Sequence, residues 1–138
     1  KKFENDGVID LNRGFLDDRE LSLLLYSADA LILPYKVSSG SGVMFDGLAH
    51  GLPFISSDIP FFREFSDIGL GISVRRDPNQ FSRALLALEQ NLERYKNTVE
   101  IFSKKLLWQD IANKHIILYN LIVNNPNSSV LKRNMFSY

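Results

Sequence analysis

At 138 residues, 45% of them hydrophobic and 23% charged, the chain has an ordinary globular composition and the length of one modest domain with one core. Its 16 basic and 16 acidic residues cancel, which leaves no electrostatic footprint for nucleic acid. The absence of cysteine excludes disulfides and thiolate metal sites and fits a reducing compartment, and no apolar run reaches the length of a membrane span.

The chain opens on Lys1-Lys2-Phe3, with neither an initiating methionine nor a signal-peptide pattern, and a trimmed or partial chain is expected. Residues 8–10 (VID) form a short strand candidate after a polar lead-in. Asp17 and Glu20 stand at capping-box spacing, and Leu21, Leu24 and Leu25 mark one face of the helix they open. Residues 30–34 (ALILP) are a continuous apolar run of strand length, as expected of a strand covered on both faces. A loop of small residues then leads into a helix over residues 43–50, for which Gly51 is a good C′ residue with Pro53 close behind.

The next strand is residues 53–57 (PFISS), followed by a turn at Asp58-Ile59-Pro60 and a short helix around residues 62–65. Gly69-Leu70-Gly71 leads into the strand Ile72-Ser73-Val74. Asp77-Pro78-Asn79-Gln80 is a helix start, with proline at the first helical position, and Phe81, Leu85 and Leu88 form the predicted buried stripe. Trp108, Ile111, Ala112, His115, Ile116, Tyr119, Ile122 and Val123 keep helical spacing, which predicts a firmly docked helix with His115 in its packing. Residues 124–138 read as a polar tail and residues 1–123 as the domain. No internal repeat is visible.

Alternating strands and helices predict an α/β fold with a parallel sheet, in which ligands bind beyond the carboxyl ends of strands. That rule selects the loop after the first apolar strand. Ser38, Ser39, Gly40, Ser41 and Gly42 remove almost all side-chain bulk there, and glycine lets a backbone approach a ligand closely. The loop runs into a helix start, whose orphan N–H groups and partial positive charge suit a phosphate. Asp46, just inside the helix, supplies a carboxylate of the kind that binds sugar hydroxyls in nucleotide sites. The plain alternative is an ordinary βα turn with a surface aspartate, and a Gly-rich turn alone is a weak signal.

Across residues 33–64 the chain resembles the second half of the C-terminal, donor-binding domain of a GT-B glycosyltransferase of the large retaining family 4 (glycosyl transferases group 1). The resemblance rests on Leu33-Pro34, then Ser38 to Asp46 at the spacing of the family's E-x7-E element, then Ala49-His50-Gly51-Leu52-Pro53 and a strand, with Asp58 and Glu64 following. The flanks agree, from Gly14 to Tyr35 and again at the helix led by Trp108, so that roughly residues 8–123 are covered.

The resemblance implies a Rossmann-like parallel sheet with flanking helices, of which residues 8–10, 30–34, 53–57 and 72–74 are strands three to six. The first two strands would precede residue 1, leaving strand four with an uncovered edge and the chain in need of the rest of its polypeptide or of a partner chain. It implies transfer of a hexose from a nucleoside diphosphate sugar to a glycan or lipid-linked acceptor, with an N-terminal domain holding the acceptor. In that frame Asp46 meets the donor ribose, the amides of Gly40, Ser41, Gly42 and Val43 meet phosphate, and Ser38 replaces a glutamate that contacts the transferred sugar. The family's diphosphate-binding bases lie upstream of residue 1; Lys36 is the only cation near the loop in the sequence, and it reads as a solvated rim residue.

No cofactor or metal is expected, and no Asp-x-Asp occurs. The alternatives are a non-catalytic, accessory half of a bipartite transferase, and a nucleotide-sugar epimerase of the same fold. Ser39 or Ser41 as a hydrolase nucleophile lacks a His/acid pair placed by sequence. His50 reads as a helix C-terminal cap and Glu64 as a plain helix-turn carboxylate. A cytoplasmic location follows from the resemblance, with peripheral membrane contact through Phe61-Phe62 and the stretch from Phe102 to Trp108 with Lys104 and Lys105. Core packing is the simpler reading of those aromatics.

Overall fold

A computed structural model of the chain describes residues 9–10, 14–105 and 107–124. Three strands, β1 (Leu31–Leu33), β2 (Phe54–Ser57) and β3 (Gly71–Val74), lie parallel and adjacent in chain order. The helices are α1 (Asp18–Ser27), α2 (Gly42–Ala49), α3 (Pro60–Ser66), α4 (Pro78–Gln90), α5 (Leu92–Ser103) and α6 (Trp108–Asn124). The chain is thus an α/β protein with a small parallel sheet and flanking helices, as a Rossmann-like arrangement requires.

β2 is buried at all four residues because it is paired on both edges and covered on both faces. On one face Phe54 joins Leu33, Met44, Leu48, Phe62, Leu70 and Val99, drawn from β1, α2, α3, the turn before β3 and α5. On the other, Ile55 packs with Ala84 and Leu88 of α4, with Ile72, Val74, Phe81 and Tyr95 around them. The aromatic residues of α3 belong to the first of these cores. Phe62 is fully buried, 5.5 Å from Tyr35 and 6.0 Å from Phe54 between ring centroids, and Phe61 stacks edge-on to Phe45.

Local signals hold where predicted. The Asp17 carboxylate accepts from the Glu20 amide at 2.8 Å while Glu20 reaches back to the Asp17 amide, completing the capping box. Asp77 accepts from the Gln80 amide at 3.1 Å, with Pro78 opening α4. Gly51 takes φ +82°; its amide donates to Leu48 O and that of Leu52 to Gly47 O, the paired bonds of a Schellman end to α2.

Other expectations are corrected. Ile9 and Asp10 form no strand, and Val8 lies outside the described residues, as does the tail beyond Asn124. β1 is not covered on both faces: Ile32, in register with Ile55 on the α4 side, is 55% exposed. Among the described residues β1 pairs only with β2. Since Leu31 N–H donates toward β2, at Pro53 O, the backbone groups of Ile32 face the open edge.

In α1 only Leu25 is buried, because the described part of the molecule lays nothing over Leu24. The α4 stripe runs through Phe81, Ala84 and Leu88, with Leu85 turned outward by the helix's phase. The predicted docking of α6 fails most clearly. It buries no residue, Trp108 is 84% exposed, and His115 bonds only its own helix, at Ile111 O. Periodicity gives α6 an apolar face, and nothing in the described residues covers it. α5 has no counterpart among the predicted elements, although its Val99 is fully buried.

Phe62→Ala is expected to cost about 3–5 kcal/mol of unfolding free energy, by lost burial and cavity formation. Ile116→Ala, on undocked α6, is expected within about 0.5 kcal/mol of wild type. Urea unfolding of both variants checks the contrast.

Candidate functional site

β1 ends at Leu33, and residues 34–41 rise from its carboxyl end into α2. Two local features aim that helix. Its far end is fixed by the Gly51 cap. Its body lies close on β1 at Gly47, where an added Cβ would come within 2.2 Å of the Leu31 side chain. Any larger residue there forces the Leu31 side chain or the helix to shift.

At the start of α2, Ser41 is the N-cap: buried, with its hydroxyl accepting from the Met44 amide at 3.1 Å. The first intrahelical bond runs from Phe45 N–H to Ser41 O at 3.3 Å. Among the described residues no partner falls to the amides of Gly42 and Val43, both exposed, so two donors and the positive end of the helix dipole face solvent. The Gly40 amide is used differently. Ser38 Oγ accepts from it at 3.2 Å and donates to the Gly40 carbonyl, closing a small turn. Ser38 is therefore committed to holding the loop, and Ser39 and Gly40 are exposed on it.

Asp46 is exposed, four residues after Gly42 and so on the same helix face. Its side chain makes no hydrogen bond or ion pair among the described residues, which leaves both oxygens open to an incoming donor. The open amides are thus those of Gly42 and Val43, on the helix face that also carries Asp46, while the Gly40 amide, expected to share the site, is taken by Ser38. Glu64 is exposed on α3, and Asp58 is taken up by Arg63 at 2.8 Å.

Two groupings were invisible in the sequence. Arg76, in the turn between β3 and α4, donates from Nε to the Pro34 carbonyl at 2.9 Å, bridging the ends of the two outer strands over a separation of 42 residues. Lys36 is therefore not the only cation near the loop. His50 caps α2 as predicted, with Nδ1 2.7 Å from Asp46 O, and also reaches back to α1, where Ser22 Oγ lies 3.2 Å from Nε2. With Nδ1–H donating to the carbonyl, Nε2 accepts the Ser22 proton. This resembles half of a nucleophilic dyad, but Ser22 sits in mid-helix, where the amides are spent in the helix itself and none is left to receive an oxyanion. The pair ties α1 to α2, with Tyr26 edge-on to His50 at 4.8 Å.

An open cavity of about 320 Å³ lies where α5 gives way to α6, lined by Lys104, Lys105, Asp110, Asn113, Lys114 and Ile117. It belongs to a helix junction, not to the carboxyl ends of the strands. Among the described residues, no cluster of three His, Cys, Asp or Glu side chains is arranged for a metal, and no helix is long and apolar enough to cross a membrane. The chain matches no protein-family model, and no curated protein is significantly similar to it. The fold is that of an α/β parallel-sheet protein, with a small-residue loop and an open helix start at the edge of its sheet among the described residues.

Gly47→Ala is expected to destabilise the chain by about 1–3 kcal/mol through overpacking against Leu31. Because the obstacle is a side-chain end, the Gly47→Ala/Leu31→Ala pair should recover part of that loss. A double-mutant cycle by urea unfolding measures the coupling, and strict additivity would contradict the contact.

Proposed function

We propose that this chain is the donor-binding region of a retaining GT-B glycosyltransferase, moving a hexose from a nucleoside diphosphate sugar to a glycan or lipid-linked acceptor. The observation that carries the reading is the β1–α2 loop. It leaves the amides of Gly42 and Val43 unpartnered at a helix start, with the open carboxylate of Asp46 one turn along the same face. In this reading Asp46 accepts from the ribose hydroxyls, and the amides meet the diphosphate, whose charge grows as the sugar leaves. The chemistry asks for no metal from this chain. An N-terminal domain, or a partner chain, supplies the acceptor site and pairs with the open edge of β1. Location at the inner face of a membrane belongs to the same proposal, with exposed Trp108, Lys104 and Lys105 as the contact. Phe61, Phe62 and Phe102 are excluded from that contact by their packing in the core.

A second reading, an accessory half that binds a partner without turnover, is favoured by Ser38. Its hydroxyl is spent inside the loop and brings no charge to the position where the resembled family places a glutamate.

Calorimetric titration of the chain with uridine and guanosine diphosphates tests the donor site. One of them is expected to bind, and Asp46→Ala is expected to weaken it by roughly tenfold or more, the loss of one charge-assisted hydrogen bond. No binding of either nucleotide would sink the donor-site reading.

A further inference from the structure

We propose that Arg76 is the diphosphate-binding cation of this site, a role that rests on the donor-site reading above. Its guanidinium is held in place by the Nε–Pro34 O bond at 2.9 Å, and neither terminal nitrogen takes a partner among the described residues. The bond carries the guanidinium from the end of β3 to the end of β1, where the loop toward Gly42 and Val43 begins. A fixed guanidinium with its outer nitrogens free is the group that grips phosphate oxygens in a bidentate fork.

The charges around it leave that role open. Asp58, at the end of β2, is neutralised by Arg63, and Asp77 is occupied by the α4 cap. Lys36, Arg75 and Arg76 are exposed at this end of the sheet, across from the uncommitted Asp46 carboxylate.

One further polar group lies at this end of the sheet, on the face opposite α2. Ser57, the last residue of β2, lies between the two strands that Arg76 bridges. It is 2% exposed, and its hydroxyl has no hydrogen-bond partner among the described residues. A buried hydroxyl in that condition costs free energy unless something bonds it. Its side chain shares the face of Ile55 and Val74, the side from which the Arg76 turn enters α4.

The test is titration of the full chain with uridine and guanosine diphosphates and with the corresponding nucleosides, for wild type, Arg76→Gln, Arg76→Lys and Arg75→Gln. Arg76→Gln is expected to weaken the diphosphate by about tenfold or more and to leave the nucleoside unchanged. Arg76→Lys keeps the charge without the fork and should fall between. Arg75→Gln, which removes the neighbouring charge, should cost much less than Arg76→Gln. Equal losses in the two glutamine variants would reduce Arg76 to part of a general field and overturn the assignment, as would parallel losses for diphosphate and nucleoside. Wild-type binding untouched by Arg76→Gln overturns this assignment while leaving the donor site standing. No wild-type binding overturns both. An unfolded Arg76→Gln, seen by circular dichroism, leaves the decision to the folded Arg76→Lys, whose affinity must then fall for diphosphate alone.

Discussion

The burial of β2 is the constraint on which the rest depends. Four residues, Phe54 to Ser57, are hydrogen-bonded on both edges and covered on both faces, so they set the spacing of the neighbouring strands and the level at which each strand ends. Parallel strands with helical crossovers bring all their carboxyl ends to one side. The loops after β1, β2 and β3 therefore share that side, though they are far apart in sequence. The mixed character of β2 follows from the same position. Phe54 and Ile55 anchor the two cores, while Ser56 and Ser57 put hydroxyls toward the carboxyl end of the sheet. Ser56 bonds Ser73 across the strand at 2.9 Å, and Ser57 finds no partner among the described residues.

From that frame, α2 is positioned by small residues and not by a large apolar stripe. Gly47 allows contact with β1, Gly51 ends the helix, and Ser41 begins it. Met44 and Leu48 do the burying between them. The helix therefore has little freedom to slide or tilt. Its first two amides stay open because the cap hydroxyl serves only Met44.

How much of this was legible in the sequence follows the range of the interaction. The Asp17–Glu20 box, the Asp77 cap and the Gly51 turn were readable because each is completed within four residues. The parallel α/β class was readable because alternating apolar runs and helical patterns leave few other solutions. The Arg76–Pro34 bond spans 42 residues and the Ser22–His50 contact 28, and no local pattern announces either. In α4, sequence spacing put Leu85 on the stripe. The packed position went to Ala84, since a helix pressed against a sheet favours a small residue at closest approach. In α6 the periodic apolar face was read correctly as a face and wrongly as a docked one, because periodicity reports what a helix wants to bury and not whether a partner is there.

The loop was legible in the sequence as a small-residue turn into a helix, and the donor reading would ask two chemical tasks of it. Binding an anion through backbone amides and a helix dipole depends on loop shape, and small residues encode shape directly. Recognising a particular sugar depends on the charge and reach of individual side chains, and here Ser38 turns its hydroxyl into the loop. If the donor reading holds, a loop that keeps its amides open while spending its side chain internally suits phosphate better than sugar. Arg76 at its foot then adds to the anion end, and selectivity for the transferred group comes from residues beyond this loop.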